Sequence, residues 1–132
     1  MRGERSEPRC EAGGMNPDTE RATQPEDLSR LIVDRLNAAD VDGLVALYEP
    51  DAVLALPDGR AATGADQIRA AYLRLVAGRP TFEPGTRQPT LRCGDLALTS
   101  SHLTNGAITV EVARRQPDGT WLWIIDQPNI AG

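Results

Sequence analysis

The stretch GDLALTSSHLTNGAITVEVARRQPDGTWLWIIDQP, Gly94 to Pro128, decides the fold. Within it, Gln116-Pro117-Asp118-Gly119 separates two runs in which apolar and polar residues alternate. Proline presets one turn dihedral and glycine accepts a positive φ without steric cost, so such a turn between runs of period two marks a β-hairpin. Residues 107–116 and 120–127 are therefore read as adjacent antiparallel strands. A third strand, Leu96 to Thr104, ends at another turn pair, Asn105-Gly106, and completes a meander. Alternate residues of a strand share a face, so Leu98, Ser100, His102 and Thr104 point one way.

Bulk properties narrow the function classes. A chain of 132 residues suits one domain with a single core. A net charge of -5 lacks the basic stripe that phosphate backbones attract, so no nucleic-acid partner is expected. No apolar run reaches membrane-spanning length and the start, Met1-Arg2-Gly3-Glu4-Arg5, has no signal-peptide core, so a cytoplasmic protein is expected. Cys10 and Cys93 offer neither a disulfide framework nor CxxC spacing, and with a single histidine no zinc site or other cofactor is expected.

Upstream of the meander, residues 1–22 are rich in Gly, Pro, Glu and Arg and read as a disordered extension, with Met15 as an alternative start. Residues 23–132 read as one domain. Thr23-x-x-Glu26 fits a capping box ahead of Leu28, Leu31, Ile32 and Leu36 at helical spacing, a helix ending near Ala39. Asp40 caps a second helix carrying Leu44, Val45, Leu47 and Tyr48, stopped by Pro50. A strand over residues 51–56 turns at Pro57-Asp58-Gly59. Thr63-Gly64-Ala65-Asp66 then opens a third helix with Ile68, Ala71, Tyr72, Leu75 and Val76 on its apolar face, closed by Gly78. A further strand is placed near Thr90–Cys93. Helices first and strands last predict an α+β fold: three helices on one face of a curved antiparallel sheet.

The segments Leu36-Asn37-Ala38-Ala39-Asp40-Val41-Asp42-Gly43-Leu44, Asp51-Ala52-Val53, Thr63-Gly64 with Ile68-Arg69, and Arg114 to Trp121 resemble the nuclear-transport-factor-2-like superfamily. Within it, the chain is similar to the small bacterial SnoaL-like and ketosteroid-isomerase-like proteins, over residues 25–128. The resemblance implies a helix-lidded cone with an apolar pocket, in a homodimer joined through the outer sheet face. It leaves function open, because this fold hosts isomerases, cyclases, epoxide hydrolases, dehydratases and binders. Carried over position by position, the isomerase's general base falls on Leu56 and its leading oxyanion-hole tyrosine on Ile32, while supporting tyrosines are kept as Tyr48 and Tyr72. The oxyanion-hole acid falls on Glu111. Base and principal donor are both missing, so steroid isomerisation is not expected.

On this resemblance the interior positions are Leu98, Ser100, His102, Thr104, Glu111, Ala113, Leu122, Ile124 and Asp126, with Trp121, Trp123 and Ile125 outside. A β-bulge would shift that register by one. His102 reads as a proton carrier near neutral pH, or as a histidine satisfied by a backbone carbonyl. Asp126 reads as the late-strand acid/base aspartate of SnoaL-type cyclases, or as a strand-end group accepting backbone N–H bonds. Glu111 reads as a pocket acid, or as a surface partner of Arg114 or Arg115. Tyr48 and Tyr72 read first as helix-face core whose hydroxyls need partners. Trp121 and Trp123 read as a dimer interface.

Three functions follow from these residues. The first is a cofactor-independent enzyme using His102, Asp126 and Glu111 for acid/base isomerisation, cyclisation or epoxide/hydration chemistry on an apolar metabolite. Its pocket would be lined by Ile32, Tyr48, Leu56, Tyr72, Leu98, Ser100, Thr104 and Ile124. The second is a non-catalytic binder of hydrophobic ligands, and the third a structural dimerisation domain.

Overall fold

A computed structural model describes residues 20–130. In chain order they form α1 (Asp27–Asn37), α2 (Val41–Val45), β1 (Tyr48–Ala55), β2 (Ala61–Thr63), α3 (Ala65–Ala77), β3 (Thr86–Arg87), β4 (Leu91–Cys93), β5 (Leu96–His102), β6 (Ile108–Arg115) and β7 (Trp121–Gln127). The class is the α+β one expected. Most of the expected N-terminal extension, with Cys10, lies outside the described residues. Its last three residues are anchored: Ala22 is buried and its carbonyl accepts from the Trp121 N–H at 2.9 Å, while Arg21 pairs with Asp118 at 3.1 Å.

Strand order is β2-β1-β7-β6-β5-β3, with β4 on the other end of β5. Every pair is antiparallel except β1 with β7, so the sheet is mixed where an antiparallel one was expected. The parallel contact explains a second departure. Tyr48 and Pro50, expected at the end of α2, belong to β1, because the Trp123 N–H donates to the Leu47 carbonyl at 2.9 Å and draws Tyr48 beside Trp123. Pro50 falls in the break in register between Tyr48 and Val53, where a strand tolerates a missing donor.

Helix starts follow local chemistry. Asp40 caps α2 by accepting from the Gly43 N–H at 3.0 Å, as expected. At α1 the capping acid is Asp27 instead of Glu26: its carboxylate accepts from the Thr23 and Gln24 N–H groups, both at 3.1 Å, while Glu26 turns to Arg92 at 3.7 Å. One face of each helix is buried on the sheet through Leu28, Leu31, Leu44, Ile68 and Tyr72, against Trp121 and Trp123.

Both hairpins carry three-residue loops. Leu103 N–H donates to the Ala107 carbonyl at 2.8 Å around Thr104-Asn105-Gly106, and Gln116 N–H to the Thr120 carbonyl at 2.7 Å around Pro117-Asp118-Gly119. Gly106 and Gly119 hold φ of 91° and 86°, the conformation such loops require at that position. Thr99 therefore lies opposite Glu111 and Ala97 opposite Ala113. The inward face of β5 is Ala97, Thr99 and Ser101, all buried. The interior placement expected of Leu98, Ser100, His102 and Thr104 is thus corrected by one residue: Leu98, His102 and Thr104 are exposed and Ser100 is half-buried. In β7 a bulge falls between the pairs Val112–Ile125 and Ala113–Trp123, with Ile124 as the extra residue. Below it Asp126 faces inward opposite Glu111, as expected. Above it Trp121 and Trp123 also turn inward, so the outer placement expected for them is corrected. The small side chains Ala97 and Ala113 make the room for the Trp123 indole.

Among the described residues no helix is long and apolar enough to cross a membrane.

Candidate active site

Four acidic side chains meet inside the sheet, each brought by a different feature of the fold. Glu111 and Asp126 are direct cross-strand partners on β6 and β7, both buried. Tyr48 comes from the first residue of β1 and Tyr72 from the buried stripe of α3, one turn after Ile68. The Tyr48 hydroxyl donates to Asp126 Oδ2 at 2.5 Å and lies 2.6 Å from the Tyr72 hydroxyl. A phenol has one hydrogen, and that of Tyr48 is spent on Asp126, so Tyr72 is the donor of the second bond. Thr99, opposite Glu111 on β5, donates to Glu111 Oε1 at 2.7 Å.

The electrostatics follow from burial. Removal from water pushes the Asp126 carboxyl up to about 7; the neighbouring Glu111 charge raises it further, and the Tyr48 hydrogen bond holds it back. Burial also raises Glu111, against the Thr99 and Thr109 hydroxyls that favour its charged form. Both tyrosines are held above the usual phenol range, chiefly by burial and next by the Asp126 charge. No arginine acts on either carboxyl among the described residues. Asp126 is thereby poised between its protonated and ionised forms near neutrality, an arrangement suited to giving and taking protons.

The sequence pattern of the SnoaL-like domain family matches residues 29–127. The chain belongs to the SnoaL-like family. No curated protein matches it. Among solved structures, this SnoaL-like domain is similar to a ketosteroid isomerase-like protein from Erwinia carotovora atroseptica at 22% identity, TM-score 0.63, over 81% of this chain and 94% of that one. It is also similar to a candidate dehydratase of the NTF2-like family from Streptomyces avermitilis (15%, TM-score 0.65, 82% and 96%) and to a SnoaL-like protein of unknown function from Burkholderia thailandensis (20%, TM-score 0.58, 81% and 94%). At these identities the likeness is one of fold.

The SnoaL-like domain brings Glu111, Asp126, Tyr48 and Tyr72 together, while Ile32 and Leu56 pack half-buried against the core. Ile124 is half-buried at the bulge. Ser100 turns to the backbone, its hydroxyl donating to the Thr109 carbonyl at 2.7 Å. His102, expected as the sharpest candidate, is exposed on the face opposite the acids, and Leu98 and Thr104 are likewise outside the cluster. Thr99 escapes the sequence reading because a two-residue turn at Asn105-Gly106 would aim it outward. Two hollows open elsewhere. One of about 490 Å³ is lined by Arg35, Leu47, Gln116, Asp118 and Trp121, and one of about 180 Å³ by Leu91, Leu96, Leu98 and Val112. Neither is lined by the acid cluster.

Proposed function

We propose that this SnoaL-like domain is a cofactor-independent acid/base enzyme for a small apolar metabolite with an enolisable carbonyl, the substrate of an isomerisation, cyclisation or hydration-type reaction. The observation that carries this reading is the buried Glu111–Asp126 pair tied to two tyrosine hydroxyls. Glu111, raised by burial and held back by the threonine hydroxyls, takes a proton from carbon when ionised. Asp126, with its value near 7, supplies the proton that the substrate oxygen needs. Apolar surroundings strengthen both interactions by excluding water. His102 has no place in this chemistry.

The test is hydrogen exchange of apolar cyclic ketones in D2O, followed by proton NMR at the carbon next to the carbonyl. Wild type is expected to accelerate exchange, and Asp126→Asn to lose on the order of 10²-fold or more. Equal rates for wild type and Asp126→Asn would sink the assignment. The second reading, a binding module without turnover, is favoured by the hollows lying away from the carboxyls; it predicts ketones bound and recovered without exchange.

The expected homodimer is reassigned to a different set of residues on the outer face. Leu91, Leu98, Val112 and Ile125 are successive cross-strand partners, forming one apolar row across four strands with Leu91 63%, Leu98 38% and Ile125 50% exposed. Charges of both signs, Arg114 with Glu49 and Arg115 with Asp95, lie beside the row, so a two-fold-related copy meets it with opposite charges. Leu98→Asp is expected to convert a dimer to a monomer in sedimentation velocity while leaving the melting temperature of the monomer nearly unchanged. A wild-type chain that sediments as a monomer at high micromolar concentration would refute the pairing.

A further inference from the structure

Arg35 is the one charged side chain of α1 that the fold buries, and among the described residues no carboxylate lies within ion-pair distance of it. Its guanidinium donates instead to two backbone carbonyls, from Nη1 to Gly43 at 2.7 Å and from Nη2 to Glu20. A guanidinium carries five N–H groups, so three of them, Nε–H included, are left without an acceptor. Buried charges are ordinarily paired, because only an opposite charge close by offsets the loss of water. The nearby acids are engaged elsewhere. Asp40, which meets the Gly43 surface beside the Arg35 stem, accepts from the Gly43 N–H at 3.0 Å. Glu20 is held by Arg30 at 2.6 Å, and Arg35 is the weakest influence on its carboxyl.

Arg35 lines the hollow of about 490 Å³ that lies between residues 20–22, the end of α2 and the β6–β7 hairpin. That volume is in the range of small-molecule sites. Ala22, Leu47, Trp121 and Leu122 give it apolar walls, and Trp121 is fixed in advance. Its backbone N–H donates to the Ala22 carbonyl at 2.9 Å, and the Arg92 guanidinium caps its ring at 5.4 Å. On the rim Arg21 and Asp118 cancel at 3.1 Å. With Glu20 paired to Arg30, Arg35 is the one lining charge without a counter-charge among the described residues. We propose that this hollow is a binding site for small monocarboxylates with an apolar body, the carboxylate on Arg35 and the body against Trp121 and Leu47. The planar fork of a guanidinium matches the two oxygens of a carboxylate. One negative charge also balances it; a dianionic phosphate would leave a surplus beside Glu20 and Asp118, in a chain whose net charge is already -5. Glu111 and Asp126 line no part of the hollow, so the site stands apart from the acid/base reading and neither depends on the other.

The test titrates the full chain with phenylacetate and with its neutral isostere phenylacetamide, by calorimetry and by nitrogen-15 NMR. Phenylacetate is expected to bind at least about tenfold more tightly, since the amide forgoes the charge-assisted bonds to the guanidinium. The Trp121 indole and Arg35 Nε–H resonances are expected to move while the Trp123 indole stays fixed. Arg35→Gln, which keeps an amide N–H for the Gly43 carbonyl, is expected to bind acid and amide alike. Ala46 lines the hollow from an exposed position, so Ala46→Phe puts a ring into it without touching the core. That variant is expected to lose both ligands with its melting temperature within about 2 °C of wild type. Equal affinity of wild type for acid and amide would overturn the site. So would phenylacetate binding undiminished in Ala46→Phe, resonance shifts confined to Trp123, or no phenylacetate bound at millimolar concentration. Should Arg35→Gln fail to fold, the acid–amide comparison in wild type and the Ala46→Phe variant still decide. Ketone exchange is measured separately, so its absence would leave the carboxylate site standing.

Discussion

Trp123→Ala is expected to destabilise the domain by ~3–5 kcal/mol, the cost of emptying a fully buried aromatic site, and so to consume a large part of a typical domain's 5–15 kcal/mol. Trp123 is 1% exposed. Its ring lies 5.6 Å from that of Tyr48, and its backbone joins β1 to β7. Collapse into the void is resisted because the neighbours opposite, Ala113 and Ala97, have no length to extend into it. Trp123→Phe should cost distinctly less. The indole Nε1 is buried without a partner, and deleting an unmet donor recovers part of a ~1–3 kcal/mol penalty. Urea denaturation followed by far-ultraviolet circular dichroism measures both. A midpoint for Trp123→Ala equal to that of wild type would show that the indole lies on the outer face after all.

That face assignment marks where the sequence stops being legible. The strands β1, β4, β5, β6 and β7, the two hairpins and the three helices follow from periodicity and turn residues in the chain itself, the short β2 and β3 carry no such signal, and the inward aim of Glu111 and Asp126 is implied by the family resemblance. Which side chains of β5 share the Glu111 face depends on loop length. A two-residue turn at Asn105-Gly106 puts Leu98, Ser100 and His102 beside Glu111 and Ala113; the three-residue loop from Thr104 to Gly106 puts Thr99 and Ala97 there instead. One residue of loop moves the only histidine out of the site. The β7 bulge repeats the lesson within a single strand, since Asp126 follows the simple alternation and Trp123, on the far side of Ile124, does not. Residue size held a clue: an indole on a crowded inner face requires small neighbours, and Ala97 and Ala113 are such neighbours. The Tyr48–Asp126 contact had none, because it depends on a parallel pairing between the first and last strands, 78 residues apart.

Asp126→Asn is expected to flatten the fall of stability with pH between about 4 and 7. An aspartate exposed in the unfolded chain titrates near its ordinary value of 3.8, whereas in the folded protein burial and Glu111 push Asp126 up to about 7. The folded state therefore binds the proton more tightly. Stabilisation from this group is fully present below pH ~4 and is lost as pH rises through the folded value, because deprotonation is free in the unfolded chain and costly in the interior. At ~1.4 kcal/mol for each pH unit of that window, the loss reaches ~4 kcal/mol by pH 8. Asparagine keeps the size and the oxygen that accepts from Tyr48, and carries no charge to bury. Relative to wild type the variant should be near neutral at pH 4, already more stable at pH 5 and most so at pH 8, by on the order of 10 °C in melting temperature there for a domain of this size. Surface carboxylates paired with arginines, such as Glu49 with Arg114 and Asp58 with Arg60, act in the opposite sense but below pH ~5, and they are common to both proteins, so the difference between the two melting curves isolates Asp126. Differential scanning calorimetry across pH 4–8 reads it directly. Parallel curves for wild type and Asp126→Asn would mean that Asp126 titrates as an ordinary solvated carboxylate, and the proton that the proposed chemistry draws on would have no source in this site.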